Sequence, residues 1–215
     1  TFPEGWNFSQ WRQHLEGVPQ FADSRHLSDV QLLQTLGLHI SHPEGWFFPD
    51  TYSYTGGDSI ADLLLRAHRK MLDTLDKAWL LKAKDLPYSS AYEALIMASI
   101  VEKETGLAAE RAAIAGVFVR RLRLGMRLQT DPTVIYGLGN QFSGNLRRSH
   151  LKQKTVYNTY VIGGLPPTPI AMPSAAAIDA ALHPADGDSL YFVARGDGGH
   201  YFSSTLEQHR RAVRK

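Results

Sequence analysis

The stretch Met97–Gly106, "MASIVEKETG", sets two glutamates, Glu102 and Glu104, at the end of an otherwise apolar run and just before a glycine. At about 100° per residue, with Met97 as zero, Ile100 falls at about −60°, Val101 at about +40° and Glu104 at about −20°. Glu104 therefore continues the apolar stripe one turn beyond Ile100. Glu102 falls at about +140°, over Leu95, Ala98 and Ser99. A carboxyl group on an apolar stripe is partly withdrawn from water, which disfavours its charged form, and the negative end of the helix dipole acts in the same direction. A carboxyl group that keeps its proton towards neutral pH is what general acid catalysis needs. The same pattern also suits an ordinary helix end whose carboxylate pairs with Lys103, Arg111 or solvent.

Two other stretches gather polar groups. "LQTDPTVIYG" (128–137) and "YNTY" (157–160) offer amides, hydroxyls and aromatic faces between glycines and prolines. Such groups suit carbohydrate, because ring faces stack on aromatics while hydroxyl and N-acetyl groups pair with Asn, Gln and Asp. Capped turns and core tyrosines would use the same residues. The nine histidines show no HExxH or similar spacing, so neither a metal site nor a cofactor is expected. There is no phosphate-cradling glycine loop and no Gly-x-Ser-x-Gly elbow. "GDGGH" (196–200) reads as a hairpin turn.

The elements that must position these groups follow from periodicity and caps. Ser28 opens a short helix. Residues 58–84 show helical spacing through Leu63, Leu64, Ala67, Met71 and Leu75. Ser90 with Glu93 forms a capping box for a helix that ends by Gly106. A further helix spans 109–124, where the arginines of "RRLRLGMR" (120–127) read as its wet face. "MRLQT" (126–130) alternates like a strand. Asp131-Pro132 reads as a cap and first-turn proline for a short helix through Tyr136. A proline-rich loop (163–173), a helix at 174–182 and a hairpin from "SLYFVAR" and "HYFSS" complete the chain. Residues 1–60, dense in Pro, Gly and aromatics, read as irregular, with Pro-Glu-Gly-Trp occurring twice, at Pro3–Trp6 and Pro43–Trp46. The fold class is α+β: a helical domain with a small antiparallel sheet.

The 215 residues are 43% hydrophobic and 20% charged, with a net charge of +2 and no cysteine. One domain spanning 1–215 is expected, with the motif-bearing core at 85–215. The charge is too mild for nucleic acid. Disulfides, thiolate metal sites and cysteine nucleophiles are excluded. The longest apolar-or-small run, "ALIMASIV", falls far short of the roughly 20 residues that span a bilayer. The chain opens at Thr1 without methionine or leader, so an excised domain is expected, with any anchor upstream.

Taken in order, "EGWFFPDTYSY", "ASIVEKETG", "GVFVRRLRLGMRLQTDPTVIYG", "YNTY", "GLPPTPIAMPS" and "LYFVARGDGGHYFSSTLEQH" resemble the endolytic murein transglycosylase (YceG-like) family. The resemblance runs from about Glu44 to Val213. It implies cleavage of the β-1,4 bond between N-acetylmuramic acid and N-acetylglucosamine within peptidoglycan strands, leaving 1,6-anhydro ends. It also implies that Glu104, the second glutamate of Glu-Lys-Glu-Thr, is catalytic. Membership in the family's motifs assigns substrate contacts to Gln129, Thr130, Asp131, Tyr136, Asn158 and Tyr160. Glu102 is expected in a supporting role, paired with Arg111 or Arg120. The resemblance implies a transmembrane helix followed by a LysM-like module and the catalytic domain, of which these residues are expected to represent the last. The implied setting is the bacterial inner membrane, facing the periplasm, with glycan strands as substrate and wall-synthesis machinery as a partner. Two rival readings are a muramidase with Glu104 as acid and Asp131 as partner, and a non-catalytic peptidoglycan-binding domain.

Overall fold

A long run of buried residues decides the architecture. Every residue from Ala94 to Val101 is buried, so the helix that carries them, α4 (Ala91–Glu104), must be covered on all sides. A computed structural model, which describes residues 1–214, shows the cover. It consists of α3 (Ile60–Leu80), α5 (Arg111–Arg123), α6 (Asp131–Leu138) and α8 (Ala175–Leu182). α8, "AAAIDAAL", lies most extensively along α4 because its small side chains allow close approach. Leu95, Met97, Ile100, Ile114 and Phe118 are the large side chains at the centre of this core.

Residues 1–60 are more ordered than their composition suggests. Asn7 accepts from the Gln10 backbone N–H, and the Gln10 side chain reaches back to the Asn7 N–H, so a full capping box opens α1 (Phe8–Glu16). A 3-10 helix (Pro19–His26) and α2 (Asp29–Thr35) follow. Phe8, Trp11, Leu15, Leu32 and Phe47 form a second core against the first half of α3, with Phe2 stacked on Trp11 at 3.8 Å between centroids.

Both Pro-Glu-Gly-Trp segments are turns with a left-handed glycine, Gly5 at φ +75° and Gly45 at φ +83°. A Cβ on Gly45 would lie 2.4 Å from Pro169, so this turn is pinned against the proline-rich loop. That loop in turn crosses the first: Gly5 donates its N–H to the Met172 carbonyl, and Met172 donates to that of Trp6.

β1 (Tyr191–Ala194) and β2 (His200–Ser203) form the expected antiparallel hairpin, in register Tyr191↔Ser203 to Ala194↔His200. A short helix not expected from the sequence, α9 (Leu206–Ala212), packs on both strands. Another, α7 (Arg148–Lys152), precedes the "YNTY" segment. The assembly is α+β. No helix among the described residues is long and apolar enough to cross a membrane.

Three local expectations need correction. Residues 126–130 are not a strand, because the side chain of Arg121 takes the place of a ladder partner and donates to the carbonyls of Arg127 and Leu128. Ser90 caps α4, but the Glu93 carboxylate accepts from the Ser89 N–H rather than from that of Ser90, so the box is only half formed. The cap of α6 is Thr130, leaving Asp131 in the first turn beside Pro132.

Candidate active site

α4 places its last residue where the core meets solvent. Thr105 breaks the helix by turning extended (φ −145°, ψ 136°). Glu104, on the Met97–Ile100 stripe, therefore emerges from the core with part of its surface exposed. It faces a cleft of about 500 Å³ walled by Leu128, Gln129, β1 and α9. The Thr130 hydroxyl donates to its Oε1. Burial pushes the Glu104 carboxyl up to about 7. The Thr130 hydrogen bond opposes the rise, the negative charge of Asp131 adds to it, and His200 opposes it.

The opposite wall is built by interlocked threonines. Gln129 sits at φ +54° and donates its N–H to the Thr159 carbonyl at 3.2 Å. The Thr130 N–H donates to Thr159 Oγ1 at 3.0 Å, and that oxygen is 2.8 Å from Thr133 Oγ1. The Thr130 side chain is thus held on Glu104 by fully buried neighbours. Asp131 accepts from the Tyr160 hydroxyl at 2.6 Å, and burial, with Asp131 alongside, raises the phenol's pKa. The phenol therefore stays a neutral donor throughout the physiological range.

These contacts place each expected residue. Glu104, Gln129, Asp131 and Tyr160 line one cleft, with Thr130 beneath the carboxyl group. Tyr136 instead faces a neighbouring cavity, where its hydroxyl donates to Glu44 at 2.9 Å. Asn158 is fully buried. Its amide nitrogen is directed at the carbonyls of His150, Leu151 and Gln153, and its oxygen accepts from the Tyr160 N–H. It shapes the loop that carries Tyr160 and presents no free polar atom to the cleft, which corrects its expected role as a substrate contact. Glu102 lies behind the site, accepting from the N–H and hydroxyl of Ser174 and pairing with Arg111 at 3.7 Å. Arg120 turns away to the carbonyls of Ser189 and Ala185.

Three cleft residues escaped the sequence reading. Arg121 is buried, not part of a wet face; it donates to the Leu190 carbonyl at 2.6 Å and to Gln129 Oε1 at 3.3 Å, and lies over the Tyr191 ring. His200, read as part of a turn, opens β2 and lines the cleft, held by Glu110 at 2.7 Å from its Nδ1. Tyr191, stacked on His209, closes the far side.

A helical domain that carries a single carboxyl group from core to cleft, facing a Gln-Thr-Asp wall, defines a recognisable class. The family model described as "YceG-like family" matches residues 1–215, and the chain belongs to that family. It is 38% identical over 178 residues to the endolytic murein transglycosylase of Bacillus subtilis, covering 82% of this chain and 49% of that protein. It is 35% identical over 179 residues to the protein of the same name from Streptococcus pneumoniae serotype 2, covering 79% of this chain and 31% of the relative. The chain thus spans less than half of the length of these curated relatives, 49% of one and 31% of the other. A crystal structure of a putative YceG-like protein from Listeria monocytogenes superposes with a TM-score of 0.78 at 33% identity, covering 98% of this chain and 74% of the other.

Proposed function

We propose that this domain is an endolytic murein transglycosylase that cleaves the β-1,4 MurNAc–GlcNAc bond inside peptidoglycan strands, with Glu104 acting first as acid and then as base. The observation that carries this reading is a Glu104 carboxyl group buried enough to hold its proton to about pH 7, yet open to a cleft. In the proposed cycle, the Glu104 proton passes to the glycosidic oxygen as the bond from that oxygen to C1 of the MurNAc breaks. The 6-hydroxyl oxygen of the same sugar closes on C1, and its proton returns to Glu104. No water is consumed and the carboxyl group is restored, so one acid suffices where a hydrolase uses two. Gln129 and the Tyr160–Asp131 pair are positioned as polar partners for the sugar flanking the bond. The substrate implies an extracytoplasmic location. Attachment to the inner membrane and association with wall-synthesis machinery belong to the same proposal.

The test is mass analysis of products from purified glycan strands. The reading expects new ends lighter by one water than reducing ends. Reducing ends alone would favour a muramidase with Asp131 as partner, and intact strands a binding domain.

The Thr130 hydroxyl favours the charged form of Glu104, whereas the acid step needs the protonated form. Thr130→Val removes that donor, so the alkaline limb of kcat/KM, expected near pH 7 in the parent, should move upward by on the order of one pH unit. A profile that stays in place in this variant would remove Thr130 from the account of Glu104.

A further inference from the structure

Beside the Glu104 cleft lies a larger cavity, of about 670 Å³, that the reaction above does not use. Only a narrow ridge separates the two. The last turn of α4 gives Lys103 to the cavity and Glu104 to the cleft, and the start of α6 gives Pro132 to the cavity and Asp131 to the cleft. Further along α6, Ile135 and Tyr136 continue the cavity face at helical spacing, and Gly139 follows just past the helix end. The opposite rim comes from the two Pro-Glu-Gly-Trp turns, through Gly5, Pro43 and Glu44. The repeated motif thus frames this space.

Its floor holds a second unusual carboxyl group. Glu44 is 2% exposed and bonded to the Phe8 N–H at 3.0 Å and to the Tyr136 hydroxyl at 2.9 Å. Burial pushes it up to about 8 against the pull of those two donors, so at neutral pH it is an uncharged acid. A buried carboxyl group with no ion pair costs stability, and here it also links the first turn of α1 to α6 through those two donors. The rim adds the Asn7 and Asn140 carboxamides and the Phe142 and Tyr157 rings. Neutral donors and acceptors between aromatic faces match sugar hydroxyl and N-acetyl groups. Of the charged groups on the walls, Asp29 is paired with Arg12 at 3.0 Å and Lys103 donates to the Gly5 carbonyl at 3.1 Å.

We infer that this cavity is a second carbohydrate subsite, which holds the glycan strand where it runs on past the bond at Glu104. The inference rests on the glycan-cleaving reading and deepens it: a strand gripped on both sides of the ridge is held far from its ends, which is what cutting internally requires. Phe142 and Tyr157 supply ring faces, and Glu44 with Asn140 supplies hydrogen bonds at the floor and rim.

The experiment is calorimetric titration of Glu104→Gln protein, used to prevent turnover, with glycan strands stripped of their stem peptides. One set is short enough to fill only the Glu104 cleft and the other long enough to cross the ridge. Long strands are expected to bind about tenfold more tightly than short ones, and the added pair Asn140→Ala and Phe142→Ala to abolish that ratio. Both positions lie in a surface segment, and thermal unfolding confirms the variant's fold. Glu44→Gln in the same background is a second probe and should reduce the ratio in part. Equal binding of short and long strands, or a length advantage that survives in the Asn140/Phe142 variant, overturns the inference. So does an advantage that appears only with stem peptides attached, which would make the cavity a peptide site. These readings are of binding alone. Absence of anhydro ends from wild-type protein would sink the proposed reaction while leaving the cavity's role to be judged separately.

Discussion

Glu104→Gln is expected to abolish strand cleavage while making the domain more stable at alkaline pH. The activity side follows from the double use of one carboxyl group. General acid–base assistance contributes typically about 10²- to 10⁴-fold, and in the proposed cycle both proton transfers depend on Glu104. A loss of about 10⁴-fold or more in kcat/KM is therefore expected, with no anhydro ends above background. The stability side follows from linkage. The folded state holds the Glu104 proton to about pH 7, against an ordinary glutamate value of about 4.5. Between those values the native protein binds more protons than the unfolded chain, so this group's contribution falls as pH rises and levels off above about 7. Glutamine keeps an acceptor for the Thr130 hydroxyl without the buried charge. The variant should match the parent near pH 4.5 and exceed it at pH 8 by on the order of 2–3 kcal/mol, measured by urea unfolding at both pH values. A variant that cleaves normally, or one no more stable than the parent at pH 8, contradicts the assignment of a buried, proton-holding Glu104.

Much of this site was legible because one pattern carries it. A charged residue that continues an apolar helical stripe is a residue drawn into the core, and this reasoning located Glu104 from Met97, Ile100 and Val101. The same arithmetic applies to Arg121, seven residues beyond Ile114 and on the stripe of Val117 and Phe118, all buried in α5. Its arginine neighbours at 120 and 123 made the stretch look like a wet face. α1 was marked by Asn7 and Gln10 at capping-box spacing, but the prolines and aromatics around it favoured an irregular reading. What could not be read were contacts between distant segments. Nothing local tells that Asn158 turns its amide onto three backbone carbonyls, that Tyr136 looks away from Glu104 towards Glu44, or that His200 returns from the hairpin to the cleft. These depend on how loops close over α4. The strand expected at 126–130 failed for a related reason: alternation predicts extension, and a guanidinium from α5 satisfied the carbonyls that a neighbouring strand would have taken.

The two glutamates of Glu-Lys-Glu should separate cleanly in experiment, because Glu102 ties helices together whereas the proposed proton transfers fall to Glu104. Glu102 joins three helices. It leaves α4 and reaches the first residue of α5 through Arg111, and it accepts from the N–H and hydroxyl of Ser174, the residue that caps α8. Its side chain is 6% exposed and that of Arg111 12%, so neither charge has ready access to water. The Arg111 Nε already lacks a hydrogen-bond partner among the described residues. Glu102→Ala therefore strands a guanidinium inside the fold and removes support from a cap, and a loss of about 3–5 kcal/mol is expected. Glu102→Gln, which keeps an acceptor for Ser174 while losing the ion pair, should fall between this variant and the parent. The folded fraction of Glu102→Ala should still show the parent's alkaline limb in kcat/KM, since that limb reports Glu104. A displaced limb with unchanged stability would make Glu102 part of the proton chemistry and would overturn this division of roles.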